Sequence, residues 1–559
     1  MASRNQQRIE SATPPRLIIS PKIWVAVFVF VASGYLALTG LDNTYFWDDE
    51  ARTAIVAKNF LATGQLTLWD GRNLLAYQRG AGMEPGLKVH YFSLHYPVTA
   101  LSFRLFGVST WAARFPFAIA GLATLFVFAM ILREEFGTQS WLWVYALGVL
   151  AFSVTFLLHI RQSRYYALSL LFSAFSYYLY RRCLRTRHIG WFILLAISSI
   201  ALFYSNYLVG GAFLLSLGIL HLVFHRSDFG IKDWAKSALS VTIFACATLP
   251  YIVIHRNWTL DMIMGPPQPW LERKLTLLWW NLREVNVISA LPWMILALLA
   301  LALILHRQRK LTRIALEWAT LGIGNVVVIA LVSHQPIRKL GIAEIRFLIA
   351  SLPYFAGLLG ILCWLVHQWK KPVGILMFVV LVCSNLFTLP LFGRDFQWLL
   401  PAYVREVHHE YPSSAGAVSE YLSKHARQDD LVYAYPEYFS GPIMFYVGDK
   451  VRLCCLLNKK SPLSKEDLRK LNAPLFNDEH YPDWFVAFGL HRPAEGMLLH
   501  FSRPHLKGRE IVRFKYRLAE RLNIYWDQTQ RPELPRHSFG PKTDFDRNRD
   551  VYIFKRVED

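Results

Sequence analysis

The sequence contains a series of apolar runs, each long enough to form a helix that crosses a membrane. A spanning helix needs about 20 apolar residues, because the hydrocarbon core of a bilayer is about 30 Å thick. The composition agrees, since 54% of the 559 residues are hydrophobic and only 18% are charged. We therefore predict a polytopic α-helical membrane protein with about 11 to 13 spans. The runs lie near residues 20–39, 112–132, 140–158, 165–181, 189–205, 208–225, 236–255, 287–306, 314–333, 346–367 and 373–391.

Basic residues alternate with these runs and predict the topology. Lys and Arg are enriched in the cytoplasmic loops of membrane proteins. Residues 181–188, 225–236, 306–313 and 367–371 are basic, and all four segments fall on the side of the basic N-terminal segment. This parity requires residues 90–107 to form an interfacial helix and not a span. No small-residue cleavage site follows the first run, so we expect an anchored first helix with its N-terminus in the cytoplasm.

This topology places two large segments outside the cytoplasm. Residues 40–111 form a long loop within the membrane domain, residues 1–392, and residues 393–559 follow the last span. The latter contain strand-like segments such as DLVYAYP, WFVAFGL and VYIFKRV, which predict a soluble extracytoplasmic α/β domain. We interpret it as an accessory or acceptor-binding module. Its charges nearly balance, so the net charge of +21 belongs to the basic loops of the bundle and does not indicate a nucleic-acid binder.

Three consecutive carboxylates, Asp48, Asp49 and Glu50, follow the first apolar run in the stretch FWDDEARTAIVAKNFLATGQ. One interpretation is structural, because acidic residues favour a helix N-terminus and an amphipathic pattern begins here. The other is chemical, because Arg and Lys hold phosphate while a neighbouring carboxylate takes a proton from a hydroxyl. That combination is suited to glycosyl transfer from a lipid-phosphate sugar. The cationic side chains and histidines predicted on the same membrane face include Arg52, Lys88, His90, His95, Arg161, Arg164 and Arg346.

Some of these side chains have a simpler interpretation. Arg161 and Arg164 can snorkel to lipid headgroups without any catalytic role. His90 and His95 can be satisfied histidines of an interfacial helix. The sequence alone leaves both alternatives open.

Four segments in fixed order match patterns of a known family. WDDEARTAIVAKN has the form D-E-x-R-x-A-x-x-A-x-N, and ALSFRLFGVSTWAARFP contains A-L-x-x-R-L-F-G followed by W-A-x-R-x-P. IRQSRYYALSL is similar to R-x-x-R-x-Y-A-L, and EIRFLIASLP to R-Y-L-x-x-x-x-P with Phe347 in place of Tyr. With these segments, roughly residues 20–400 resemble the GT-C membrane glycosyltransferases, in particular the protein O-mannosyltransferase and lipid A aminoarabinose transferase branch.

The resemblance implies roles for individual residues in a bacterial inner-membrane enzyme. Asp49 would be the general base, Glu50 would support it, and Asp48 offers a second candidate base one residue earlier. Arg52 would lie near the donor phosphate. The other residues implied at the phosphate are Lys88, Arg161, Arg164 and Arg346, and those expected in the donor or acceptor pocket are His90, His95 and Tyr165.

The predicted reaction transfers a sugar from a polyprenyl-phosphate donor to a hydroxyl of a glycan, lipid A or a protein, outside the cytoplasm and with inversion. The alternative is a lipid or glycolipid transporter or flippase. Transporters place ionisable groups near the bilayer midplane, whereas the predicted spans are largely free of Asp and Glu, with Glu317 as an exception. A receptor or scaffold that uses the C-terminal domain is a third class.

No cofactor is evident from the sequence. The six cysteines lack the spacing of a structural zinc site, so we predict no metal ligand set and no disulfide framework. Whether a divalent metal assists Asp49 is open at this stage. The sugar and the acceptor are open as well.

Overall fold

The structure is a computed structural model. Of the sequence predictions, His90, the N-terminal segment and most of the predicted span 287–306 lie outside the described residues. The structure describes residues 21–75, 83–84, 87–89, 92–137, 140–254, 269–290, 309–333, 345–387, 396, 398–409, 413–456, 463, 465–474, 481–489, 492–502, 505–507, 510–512, 514–522 and 550–558.

The first part of the chain is a helical bundle whose helices have local start signals. Ser109 caps α4 by accepting a hydrogen bond from the backbone N–H of Ala112, and Asn206 caps α9 in the same manner. The helices are α1 (Pro21–Leu38), α2 (Asp48–Thr63), α3 (His95–Phe106), α4 (Thr110–Phe136), α5 (Leu142–Ala151), α6 (Val154–Ile160), α7 (Tyr166–Thr186), α8 (Ile189–Ser205), α9 (Tyr207–Phe224), α10 (Ile231–Ile254), α11 (Trp270–Ser289), α12 (Arg309–Val332), α13 (Leu352–Trp369) and α14 (Lys371–Cys383).

Within the described residues, six helices are long and apolar enough to cross a membrane, or seven if the bent pair α5 and α6 forms one span. Helices α8 and α14 are apolar but shorter, with 17 and 13 residues. Several candidate spans are thus observed, as a multi-pass protein requires, while the count of about 11 to 13 spans stays a prediction.

Two predicted segments, the run 140–158 and the outer loop 256–286, differ in detail from the observed helices. The run 140–158 is divided at Phe152 and Ser153, where α5 and α6 meet at 55°. Ser153 starts α6 because its hydroxyl accepts a hydrogen bond from the N–H of Phe156. Helix α3 lies in the segment 90–107, which the sequence predicts to be an interfacial helix and not a span. It has 12 residues and rises only about 18 Å, which is too short to cross the hydrocarbon core. Helix α11 lies largely within the predicted outer loop 256–286.

The two ends of the bundle carry different charged groups. At one end, which we call the arginine end, the last turn of α4 meets the last turns of α7 and the first turns of α12. Arg181 contacts Glu135 at 2.9 Å and Glu317 at 2.7 Å, and Arg185 also contacts Glu135 at 2.6 Å. Helices α4 and α7 run about 30 to 40 Å from the opposite end, which we call the α2 end because α2 lies there.

The C-terminal segment folds around a five-stranded mixed sheet with the order β4-β3-β5-β9-β8. Strand β3 is parallel to β4 and β5, whereas β9 is antiparallel to both β5 and β8. Every residue of β5 is buried, because helices cover this part of the sheet. The strands are β3 (Leu431–Tyr435), β4 (Arg452–Leu453), β5 (Trp484–Phe488), β6 (His505–Lys507), β7 (Glu510–Val512), β8 (Phe514–Leu522) and β9 (Val551–Glu558), and the helices are α15 (Leu399–Glu406), α16 (Ser414–His425), α17 (Ser440–Val447), α18 (Lys465–Lys470) and α19 (Arg492–Phe501).

This α/β unit lies at the α2 end of the bundle and packs on the loop that follows α1. That loop also contains the short hairpin of β1 (Met83–Glu84) and β2 (Lys88–Val89). Asn73 bridges the two parts, because its side chain donates to the carbonyl of Gly448 and accepts from the N–H of Leu453, both at 2.8 Å. Apolar residues of both parts form one hydrophobic core, with Ile55, Val56, Leu68, Leu74, Val418, Leu422, Val432, Ile443, Val486 and Ile553 among its members.

Candidate active site

Helix α2 begins at Asp48, so that Asp48, Asp49 and Glu50 form its first turn, which we call the acidic turn. Trp47 precedes the helix in an extended conformation and its side chain makes no capping hydrogen bond. Gly64 ends the helix in the left-handed region, with φ of 71°. The carboxylates thus stand at the positive end of the helix dipole, as the structural interpretation requires. Their side-chain contacts show that, besides favouring the start of the helix, two of them join α2 to other segments of the bundle.

The Asp49 carboxylate lies between two guanidinium groups from distant parts of the chain. Its Oδ2 is 2.7 Å from Nη1 of Arg346 and 3.2 Å from Nη2 of Arg164. Arg164 follows α6, and Arg346 lies in a 3-10 turn before α13. Arg164 also donates to the backbone carbonyl of Asp49 and to the hydroxyl of Thr53. The contact therefore joins α2 to two other segments of the bundle.

Glu50 is held by a different arginine. Nε of Arg114 donates to Oε1 of Glu50 at 2.9 Å and Nη2 donates to Oε2 at 2.7 Å, which is a bidentate pair. The N–H of Ser163 donates to the same Oε1 at 2.9 Å. Arg114 further donates to the carbonyls of Leu41 and Thr44. Glu50 is 1% exposed, so this pair fixes the acidic turn against α4 and offers no accessible base.

Sequence analysis did not assign a role to Arg114 or Ser163. A signal for Arg114 was present, because it is the arginine of the W-A-x-R-x-P pattern that begins α4. Ser163 contributes only its backbone N–H, so its side chain gave no indication of this contact.

The pKa values of the two aspartates in the acidic turn are shifted in opposite directions. Burial, together with the charge of Asp49, raises the pKa of Asp48 to about 8. Burial acts in the same sense on Asp49, but the charges of Arg164, Arg346 and Arg52 overcome it and lower the pKa of that carboxyl. At neutral pH Asp49 is ionised and Asp48 carries its proton.

Arg52 adds a further buried charge one turn into α2, and it is 1% exposed. With Arg114, Arg164 and Arg346 it makes four guanidinium groups around two paired carboxylates, those of Asp49 and Glu50. The acidic turn is therefore surrounded by an excess of positive charge. Such an excess attracts an anion that can accept guanidinium hydrogen bonds.

Two further predicted residues lie beside this cluster. The Tyr165 ring is 5.7 Å from the guanidinium carbon of Arg164 and 6.4 Å from the His95 ring. His95 is 1% exposed, and its Nδ1 lies 2.6 Å from Oγ of Ser93, which donates to the carbonyl of Ser205. That chain places the proton of His95 on Nδ1. Burial, with the charges of Arg164 and Arg52, lowers the pKa of His95 well below its usual range, so the ring is neutral.

The remaining predicted phosphate-binding residues lie elsewhere. Arg161 donates to the carbonyls of Leu36, Thr39 and Gly40, which caps the C-terminal end of α1. The structure thus shows backbone carbonyls as the partners of Arg161, and its phosphate contact stays a prediction. Lys88 is exposed on β2, and His90 lies outside the described residues. Among the residues that the structure describes, no group of three His, Cys, Asp or Glu side chains is arranged to hold a metal ion.

By sequence, the chain matches no family model and no curated protein. Its fold is similar to that of ArnT from Cupriavidus metallidurans bound to undecaprenyl phosphate, with a TM-score of 0.51, 15% identity, and 88% of this chain and 97% of ArnT covered. Apo ArnT gives a TM-score of 0.52 at 14% identity, over 87% and 95% of the two chains. The archaeal oligosaccharyltransferase AglB from Archaeoglobus fulgidus is a weaker match, with a TM-score of 0.48 and 9% identity over 84% and 69%.

Proposed function

Because this chain has the GT-C fold, we propose that it is a glycosyltransferase of the cell membrane. It transfers a sugar from a polyprenyl-phosphate donor to a hydroxyl of a glycan, a lipid such as lipid A, or a protein. The ArnT structure with undecaprenyl phosphate supports a donor of this chemical class. The chain's own residues support it independently.

The observation that carries the proposal is the contact of Asp49 with both Arg164 and Arg346. These three residues lie far apart in the sequence and meet at the α2 end of a hydrophobic bundle. The cations exceed the ionised carboxylates, so the cluster retains the capacity to bind a phosphate. A membrane lipid carries its phosphate at the headgroup level, where the ends of spanning helices lie.

In the proposed reaction Asp49 takes the proton of the acceptor hydroxyl. The acceptor oxygen forms a bond with the anomeric carbon while the bond from that carbon to the phosphate oxygen breaks. The phosphate leaves without a proton, and the guanidinium groups of Arg164, Arg346 and Arg52 stabilise its charge. One displacement inverts the anomeric configuration. Glu50 and Arg114 hold the acidic turn in place, and Asp48, once it has lost its own proton, is the alternative base.

The charge distribution supports an extracytoplasmic site. Arg181, Arg182 and Arg185 at the arginine end belong to a basic segment of the kind that the positive-inside rule assigns to the cytoplasm. The acidic turn and the C-terminal α/β unit lie at the other end. The site would therefore face the periplasm of a bacterial inner membrane, with the C-terminal domain beside it.

The test is a transfer assay with the purified full-length chain and a panel of labelled polyprenyl-phosphate sugars. Wild type should transfer label to a membrane extract, and Asp49→Asn should abolish transfer, because the amide cannot accept the proton. Asp48→Asn reports whether the neighbouring carboxyl replaces it. Movement of labelled lipid between leaflets without donor consumption would instead establish a transporter.

A further inference from the structure

The C-terminal α/β unit contacts the acidic turn directly. Helix α17 packs on the first turns of α2, and Gly441 is one of the residues at this contact. A Cβ at Gly441 would lie 3.4 Å from Cβ of Ala51 and 3.7 Å from the carbonyl oxygen of Asp48. The two helices therefore pack within van der Waals range at the residues that carry the proposed chemistry.

Tyr446 of α17 makes the polar part of this contact. Its hydroxyl accepts a hydrogen bond from the backbone N–H of Phe46 at 3.0 Å and lies 2.9 Å from Oγ1 of Thr110. Its ring packs edge to face on Tyr45, with centroids 4.6 Å apart. Burial raises the pKa of Tyr446, so the hydroxyl stays neutral and can accept from Phe46 while it donates to Thr110.

The two groups that contact the Tyr446 hydroxyl adjoin the acidic turn and the helix that supports it. Phe46 is two residues before Asp48, and its ring supports the guanidinium group of Arg114 at 5.2 Å. Thr110 is the first residue of α4, the helix that presents Arg114 to Glu50. One hydroxyl from the C-terminal unit thus ties the start of α2 to the start of α4.

We infer that Tyr446 is a positioning residue for the acidic turn. The C-terminal unit would thus help to hold the proposed catalytic residues in place. This inference rests on the proposed function and adds a role for the C-terminal unit besides acceptor binding. Tyr446 itself touches no reacting atom. It acts through the backbone of Phe46, and a small displacement of a catalytic group can lower a rate by about 100-fold.

The variant Tyr446→Phe removes only the hydroxyl, and its matched control is Tyr438→Phe on the same unit, where the side chain is 42% exposed. We expect Tyr446→Phe to lower kcat about tenfold with an unchanged KM for the donor, because the phosphate-binding arginines stay in place. Thr110→Val should have a smaller effect, since Phe46 keeps its bond to Tyr446. The control should match wild type.

Amide hydrogen exchange provides a readout that needs no substrate. Tyr446→Phe should accelerate exchange in a peptide that covers residues 45–52, while peptides of β3 and β5 keep wild-type rates. General destabilisation of the C-terminal unit would accelerate all of them, and that result would overturn the inference. A wild-type kcat in the variant would also overturn it. If wild type transfers no sugar, the proposed function fails, and the exchange result alone decides whether Tyr446 holds the acidic turn.

Discussion

Oδ2 of Asp49 lies 2.7 Å from Nη1 of Arg346, although 297 positions separate the two residues in the sequence. In this arrangement the Asp49 carboxylate accepts a hydrogen bond from the Arg346 guanidinium group, which the proposed reaction needs in order to bind the donor phosphate. A donor phosphate and Asp49 therefore compete for the same hydrogen-bond donors. A phosphate that takes over Arg346 and Arg164 would leave Asp49 more basic, because its stabilising cations are shared.

The variant Asp49→Asn should lose transfer and bind polyprenyl phosphate more tightly. The amide removes the negative charge that competes for Arg164 and Arg346, so we expect an affinity gain of about tenfold together with loss of kcat of at least about 100-fold. Binding of undecaprenyl phosphate to the protein in nanodiscs measures the first effect. Asp449→Asn is the control, because this side chain is 98% exposed at the same end. Equal or weaker binding in Asp49→Asn would show that the carboxylate does not compete.

Arg161 and Arg164 lie three residues apart and should differ in function. Arg164→Gln should raise the KM for the donor about 10-fold or more, because it removes a guanidinium group beside Asp49. Arg161→Gln should leave the KM unchanged and lower the melting temperature, since its bonds go to carbonyls at the end of α1. Donor titrations and thermal unfolding of the two purified variants make the comparison. A raised KM in Arg161→Gln would instead support the phosphate contact that the sequence predicts for Arg161.

Glu50→Gln should destabilise the fold strongly. The variant leaves the buried guanidinium group of Arg114 without its carboxylate partner, and breaking a buried ion pair in this way costs about 3–5 kcal/mol. Thermal unfolding in detergent measures the effect. The control Glu466→Gln breaks the exposed pair with Lys470 and should leave the melting temperature unchanged. A wild-type melting temperature in Glu50→Gln would show that the pair of Arg114 and Glu50 does not hold the acidic turn against α4.

Asp48 should make the stability of the protein depend on pH in an unusual direction. An unfolded Asp titrates near pH 3.9, whereas burial and the charge of Asp49 raise the pKa of Asp48 to about 8 in the folded protein. Between these values the folded state holds a proton that the unfolded state has lost. Asp48 therefore lowers the free energy of unfolding as pH rises through this window, and its effect is constant above about pH 8.

The variant Asp48→Asn should accordingly gain stability over wild type as pH rises from about 5 to about 8. Melting temperatures of both proteins across this range test the prediction, with Asp449→Asn as the exposed control. A constant difference between Asp48→Asn and wild type would show that Asp48 is ionised throughout. The pH dependence of kcat separates the two candidate bases, since a base at Asp48 requires a rate that rises up to about pH 8.

The site could be predicted in part because its chemistry is concentrated in charged residues at the ends of apolar runs. Asp49, Arg52, Arg164 and Arg346 were singled out from the sequence, and the structure brings them together. Arg161 has the same residue type and the same predicted face. Only the three-dimensional path of α1 determines that its partners are carbonyls.

Helices long enough to span a membrane are predictable because the bilayer fixes the length of the apolar run, whatever the helices contact. The division of residues 140–158 into α5 and α6 depends on local packing, and Ser153 was its only local signal. Tyr446 could not be predicted at all. Its bond to Phe46 joins residues 400 positions apart, and nothing near Tyr446 in the sequence indicates a phosphate site.

The hydrophobic core that the loop following α1 shares with the C-terminal unit also sets an order of assembly during biosynthesis. The hydrogen bond between Asn73 and Leu453 cannot form until the ribosome has added Leu453, 380 residues later. Several helices must be inserted between these events. Until then Leu68 and Leu74 lack the partners that bury them in the finished protein. A nascent chain that ends before the C-terminal unit therefore carries all the residues of the acidic turn but lacks the apolar core that supports the loop around them.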